Sequence, residues 1–299
     1  MEQPTAQVPA AGVDAPEAVN RAVWHRADVL ADYAALEGWS DPGEWRAAQL
    51  LAPQLRNGRI LDIGVGSGRT TSWLRLLTSD YVGIDYTHAM VEQARARHPD
   101  ADIRDGDARD LSAFADASID AVNFSFNGID AVGHTDRAQI LREIARVLKP
   151  GGIALYSTFN LAGPESRMRP GMSIDTAWTV GNLQPAGTSS KPVRMARRAL
   201  QLARDPGRSR RERHQYESLA AQGEQHEGWA IAPCPAYGFS LLVHLVTAEQ
   251  ARSEATDAGL DVELLIASDG SLVFDTSTGF TAETTDVRWF HVIARRRAA

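Results

Sequence analysis

The chain has 299 residues, of which 43% are apolar, with a formal net charge of −7 at pH 7 and a single cysteine, Cys234. That length and apolar fraction suffice for a buried core in one large domain or two small ones, and the acidic balance disfavours wholesale binding to nucleic acid or an anionic membrane. A lone cysteine excludes an internal disulfide and a cysteine-based metal cluster, which fits a reducing cytoplasm, and no apolar run approaches the roughly 18 residues of a membrane span.

In chain order, residues 1–17 are rich in Ala, Pro, Val and Gln without a basic start, and read as a disordered tail rather than a signal peptide. Helical spacing of apolar residues follows over Ala18 to Leu36 and, after the break at Asp41-Pro42, over Gly43 to Leu55, so two helices precede the first strand. The next stretch, Ile60-Leu61-Asp62-Ile63-Gly64-Val65-Gly66-Ser67-Gly68-Arg69-Thr70, is an apolar strand running into a carboxylate and three alternating glycines. Glycine is needed where a chain turns at once from strand to helix and a ligand approaches the backbone. The spacing is G-x-G-x-G, and Arg69 occupies the last small position of the dinucleotide fingerprint. Asp62 beside the loop would repel a pyrophosphate and attract an ammonium group. A nicotinamide oxidoreductase is therefore disfavoured, and the expected ligand is a nucleoside carrying a cation.

Asp85 ends the apolar run Tyr81-Val82-Gly83-Ile84, at the strand terminus where parallel sheets hold ribose, although a strand-ending Asp also serves as a helix cap. The rest of the first half alternates strands and helices: Gly106-Asp107-Ala108 after a third strand, a short helix, the fourth strand Ile119 to Ser125, a helix at Arg137 to Leu148 burying Ile140, Leu141, Ile144 and Val147, and the turn Pro150-Gly151-Gly152 before a fifth strand. The fold class is α/β: a Rossmann-like, doubly wound, mostly parallel sheet with N-terminal helices. Past Phe159 the pattern stops. Residues 161–239 read as a substrate-covering insertion between strands 5 and 6, dividing a core of 18–160 and 240–299 that resumes with a helix at Thr247 to Gly259 and strands at Val262 to Ser268 and Arg288 to Ala294. Within the insertion, Lys191 to Arg213 carries an Arg run, with a helix predicted over Val193 to Ala203. It is a solvated face, a clamp for an anionic substrate or a nucleic-acid contact, and the absence of interleaved aromatics argues against base stacking.

Taken together, Ile60 to Gly68, Val82-Gly83-Ile84-Asp85, Gly106-Asp107-Ala108, Ile119 to Ser125 and Leu148-Lys149-Pro150-Gly151-Gly152 resemble, in order, the motifs of class I S-adenosylmethionine-dependent methyltransferases. The resemblance implies S-adenosylmethionine as cofactor, with Asp62 near its ammonium, the backbone of Gly64, Gly66 and Gly68 against sugar and amino acid, Asp85 on the ribose hydroxyls, Gly106, Asp107 and Ala108 at the adenine, Tyr86 and Met90 as apolar surface, and Ser125 at the end of the fourth strand. It further implies that Tyr33 and Trp39 close over the cofactor. Phe126-Asn127-Gly128 falls beside the sulfonium, where Asn127 orients substrate or merely satisfies a turn. For a base, His134 is nearest in sequence, and His226 and His244 flank an aromatic, proline-stiffened segment, His226 to Tyr237, suited to line a substrate pocket.

The expectation is a cytoplasmic methyltransferase acting on O or N of a small-molecule metabolite, without metal. Attack on another carbon of the sulfonium, by cyclisation or aminocarboxypropyl transfer, is the alternative. A regulator that binds the cofactor without catalysis is a further reading.

Overall fold

The structure, a computed structural model, describes residues 15–171 and 207–298. Most of the expected tail and the predicted helix within the Arg run lie outside the described residues. Among the described residues, three helices precede the sheet: α1 (Ala15–Trp24), α2 (Ala27–Ala34) and α3 (Pro42–Leu55). The sequence predicts one helix where α1 and α2 stand. The ring Nδ1 of His25 lies 2.7 Å from the Arg21 carbonyl oxygen, one of the unpaired carbonyls of the helix end, and Arg26 is extended (φ −72°, ψ 137°), which breaks the run. Asp41 caps α3 by accepting from the Glu44 N–H at 2.9 Å, with Pro42 in the first turn.

The sheet begins with β1 (Ile60–Ile63), α4 (Thr71–Leu74), β2 (Tyr81–Asp85), α5 (His88–Arg97), β3 (Asp102–Asp105), β4 (Ile119–Phe124), α6 (His134–Val147) and β5 (Leu148–Asn160). β1 and β2 are buried at every position, as strands covered on both faces must be. Alternation sends Leu61 and Ile63 into the layer with Ile140, Leu141 and Ile144 of α6, and Ile60 into the opposite layer with Leu51 and Leu55 of α3 and Val91 of α5. The short helix expected between β3 and β4 is absent. Asp107 and Asp110 instead accept from the N–H groups of Arg109 and Ser112, two residues on (2.9 and 3.0 Å), local bonds that compete with helix formation.

Beyond β5 come α7 (Pro164–Arg167), α8 (Arg208–Ala220), β6 (Glu224–Gln225), β7 (Trp229–Cys234), β8 (Leu241–Val246), α9 (Ala248–Asp257), β9 (Leu260–Ala267), β10 (Leu272–Asp275), β11 (Phe280–Thr281) and β12 (Trp289–Arg296). The strand order is β11-β10-β9-β12-β5-β4-β1-β2-β3, with β8 parallel to the end of β5 and the hairpin partner β7 beside it. β3 to β5 is parallel and the β12 side antiparallel. The part of 161–239 that is described thus contributes β6 and β7 to the sheet itself. The chain reverses direction across the sheet between β1 and β4, the switch point at which α/β sheets open a crevice.

Candidate functional site

The crevice lies at the C-terminal ends of β1, β2 and β4. Gly64 and Gly66 have φ of +64° and +56°, and a Cβ on Gly64 would stand 2.8 Å from the Phe124 ring, whereas one on Gly66 would meet nothing closer than Tyr33 at 3.6 Å. The loop is tied to the sheet by the Val65 N–H donating to the Ile84 carbonyl at 3.0 Å. Asp85 is 8% exposed. One carboxylate oxygen accepts from the Gly66 N–H at 2.9 Å and the other from the Thr87 N–H at 2.7 Å. Burial raises its pKa, opposed by those backbone bonds. Ile63, Met90, Gly106, Ala108 and Ser125 complete the floor, Tyr86 lines the cleft beside Asp85, and Trp24 and Tyr33 from the helical cap form the opposite wall.

Four predicted cofactor residues lie elsewhere. Asp62 shares the strand face of Ile60, so its carboxylate turns under the loop and accepts from Thr70 Oγ1 (2.6 Å), Tyr81 Oη (2.8 Å) and Asn123 Nδ2 (2.7 Å). It does not line the cleft, and it fixes the loop from below. Asp107 turns outward onto Arg109 at 2.7 Å. Burial would raise its pKa, but the hydrogen bonds from Arg109 outweigh it and leave the group below the ordinary carboxylate range. Gly68 backs onto α5, where a Cβ would stand 2.6 Å from the His98 ring. Trp39 packs edge-on against Phe126, with ring centroids 5.7 Å apart, and its carbonyl accepts from Arg69 at 2.7 Å. Arg69 itself is buried in a two-pronged pair with Glu44 (2.6 and 2.7 Å) and donates to Ser125 Oγ at 2.7 Å. Sequence reading used Arg69 only to disfavour a dinucleotide; its partner Glu44 lies 25 residues away and no local pattern announces it.

A second cavity of about 90 Å³ adjoins the cleft, bounded by Leu36, Phe126, Phe159, Cys234, Tyr237, Leu241 and Val243. Asn127 faces it in the left-handed region (φ 59°, ψ 27°), with its N–H donating to Ser157 Oγ at 2.7 Å and its Oδ1 buried without a partner. Asn tolerates that conformation better than most residues. Burial pushes the Cys234 thiol up to about 12 and raises the Tyr33 and Tyr237 hydroxyls above their ordinary value. His134 and His226 are not here. Both stack on Trp229, with ring centroids 4.1 and 4.0 Å away, in a separate pocket with Glu17, Arg109 and Asp136. The topology carries the start of α6 away from the crevice, so nearness of His134 to Asn127 in sequence did not translate into space.

An adenosyl ligand fits the crevice chemically: Asp85 keeps lone pairs for hydroxyl donors, the glycine backbone is open to it, and Ile63, Met90 and Ala108 are apolar. The cleft measures about 90 Å³.

A methyltransferase-domain family profile matches residues 61–156, the span from β1 into β5. A probable S-adenosylmethionine-dependent methyltransferase of Mycolicibacterium smegmatis is 38% identical over 112 residues, 38% of this chain and 42% of that protein. A demethylmenaquinone methyltransferase of Renibacterium salmoninarum is 37% identical over 102 residues, 34% of this chain and 41% of that protein. The chain thus spans about two fifths of the length of these curated relatives. The fold is similar to the solved 1,6-didemethyltoxoflavin-N1-methyltransferase of Burkholderia thailandensis, crystallised with S-adenosylhomocysteine (TM-score 0.53, 14% identity, 98% of this chain and 93% of that one). It is also similar to an S-adenosylmethionine-dependent methyltransferase of Mesorhizobium loti (TM-score 0.50, 19% identity, 85% and 98%).

Proposed function

We propose that the chain is a class I S-adenosylmethionine-dependent methyltransferase that transfers a methyl group to O or N of a small, largely apolar metabolite in the cytoplasm. The observation that carries this reading is the junction of two cavities. The Asp85 cradle lies against the apolar chamber of Asn127, and the two share Trp24, Tyr33, Phe126, Gly128 and Ala131 in their walls. When bound, S-adenosylmethionine supplies an electrophilic methyl group that needs a nucleophile held in line and water kept out. Asp85 accepts the two ribose hydroxyls, while Gly64 and Gly66 let the backbone approach. Trp24, Tyr33 and Phe126 exclude water from the junction. Asn127 Oδ1, buried and unpaired, accepts a hydrogen bond from the acceptor and so orients it.

Among the described residues of the acceptor cavity, the ionisable groups are Cys234, Tyr33 and Tyr237, all kept protonated by burial. The chamber therefore supplies position and desolvation rather than a base. Its acceptor brings its own nucleophile, as a free amine or an acidic phenol or enol. Cys234, Ala236 and Tyr237, from the described part of 161–239, wall the acceptor side.

The test is incubation with S-adenosylmethionine and a panel of small aromatic amines and phenols, reading the spent cofactor by mass spectrometry. S-Adenosylhomocysteine with a methylated acceptor supports methyl transfer. Methylthioadenosine points to attack at another carbon of the sulfonium. Failure of both S-adenosylmethionine and S-adenosylhomocysteine to bind at millimolar concentration refutes the assignment.

A further inference from the structure

Behind the acceptor cavity, on the opposite side of β8, three potential metal ligands from three elements converge. His134 opens α6, His244 lies in β8 and Glu254 in α9. His134 Nδ1 is 3.1 Å from His244 Nε2 and 3.8 Å from Glu254 Oε1, and the three ligand atoms all fall within 4.8 Å of one another. We propose that His134, His244 and Glu254 form a binding site for a divalent transition metal of the zinc class, separate from the methyl-transfer cleft. Two imidazoles and one carboxylate are a ligand set that suits zinc and its neighbours and leaves positions for water.

Each ligand is already oriented. The His134 ring lies flat against Trp229 (4.1 Å, 3° between planes), which is itself backed by His226. Glu254 is anchored by Arg137 Nε donating to Oε2 at 2.7 Å and Gln250 Nε2 donating to Oε1 at 3.1 Å, the kind of outer support that fixes ligating carboxylates. His244 is fully buried.

Behind the ligand set, buried Arg137 bridges Glu254 and Asp130, at 2.7 and 2.5 Å. His134 also borders a pocket of about 640 Å³ with Asp136 and Trp229, which gives an ion a way in from solvent. A bound ion would tie the start of α6 and α9 to β8, whose Leu241 and Val243 line the acceptor cavity. The competing arrangement holds no metal: His244 Nε2–H simply donates to His134 Nδ1.

The experiment is calorimetric titration of Zn²⁺ into the full-length, chelator-treated protein, with Co²⁺ absorption as a second readout. The expected result is one Zn²⁺ per chain, bound tighter than about 100 µM, and visible d–d bands for Co²⁺ of low coordination number. Half-exposed His134 permits His134→Ala without loss of fold, checked by circular dichroism, and this variant should lose binding by about tenfold or more. Glu254→Gln should weaken it in the same direction, with Co²⁺ bands shifted. Absence of one-to-one binding in the wild type overturns the proposal. So does binding that His134→Ala and Glu254→Gln both leave unchanged, which would place the ion elsewhere.

Discussion

Gly64 and Gly66 occupy the same loop with similar backbone angles, yet the space around them differs, and the two alanine variants should separate folding from ligand binding. A left-handed conformation costs an L-residue about 1–2 kcal/mol, so each substitution carries that charge. At Gly64 the new Cβ would also stand 2.8 Å from Cε2 of Phe124, a ring that is 5% exposed and packed in the core. Overpacking of that kind adds about 1–3 kcal/mol. Gly64→Ala is therefore expected to destabilise by about 2–5 kcal/mol, lowering Tm by about 5 °C or more. At Gly66 the Cβ meets the Tyr33 ring at 3.6 Å and the Gly64 carbonyl oxygen at 4.0 Å, ordinary contact distances, so the loss should stay near the backbone term of about 1–2 kcal/mol. That methyl, however, would stand in the cleft that Gly66 and Tyr33 both line. S-Adenosylhomocysteine affinity should fall by about tenfold or more, the equivalent of about 1.4 kcal/mol. Thermal unfolding and calorimetry on the same two proteins give both numbers. If Gly66→Ala binds S-adenosylhomocysteine like the wild type, the ligand does not cross this loop and the site as drawn is wrong.

Four further outcomes follow from the same geometry. The raised pKa of Asp85 means that the empty fold favours its protonated form: that group's stabilising contribution is greatest below 3.8 and is lost as pH rises through its folded pKa. Ligand affinity runs the other way, falling as pH drops through that window, and titrations of S-adenosylhomocysteine across acid pH should show the fall in wild type and a flatter curve in Asp85→Asn. Asn127→Gly keeps the left-handed turn but removes the amide, and should lower kcat/KM for the acceptor about tenfold, the loss of one hydrogen bond of about 1–1.5 kcal/mol, with S-adenosylhomocysteine affinity intact. Arg69→Met strands the buried Glu44 carboxylate and should cost about 3–5 kcal/mol in chemical denaturation, much of it restored when Glu44→Gln is added; a single variant as stable as wild type contradicts the pairing. His226→Ala, at an exposed position remote from the cleft, should leave the pH profile of kcat/KM unchanged, and a lost limb in that profile would bring the histidine back into the chemistry.

The sequence by itself determined the parallel half of the sheet and the crevice at its edge. Buried strands such as Ile60–Ile63 and Tyr81–Asp85 announce themselves as short apolar runs, and the glycine spacing and the strand-ending Asp85 are local consequences of a chain that must turn and leave room for a ligand. Tertiary structure decided what local pattern cannot encode. Strand alternation turned Asp62 under the loop instead of into the cleft, because a period of two assigns its face along with that of Ile60. The hairpin of β7 and β8 and the antiparallel flank depend on partners far along the chain, so the broken pattern after Phe159 hid strands that pair beside β5. The same distance separates Arg69 from Glu44, and Arg137 from Asp130 and Glu254: a buried charge shows its purpose only when its partner is folded against it. His134 is the sharpest case, seven residues from Asn127 in the chain, yet delivered by the turn into α6 to a second pocket, among ligands that come from β8 and α9.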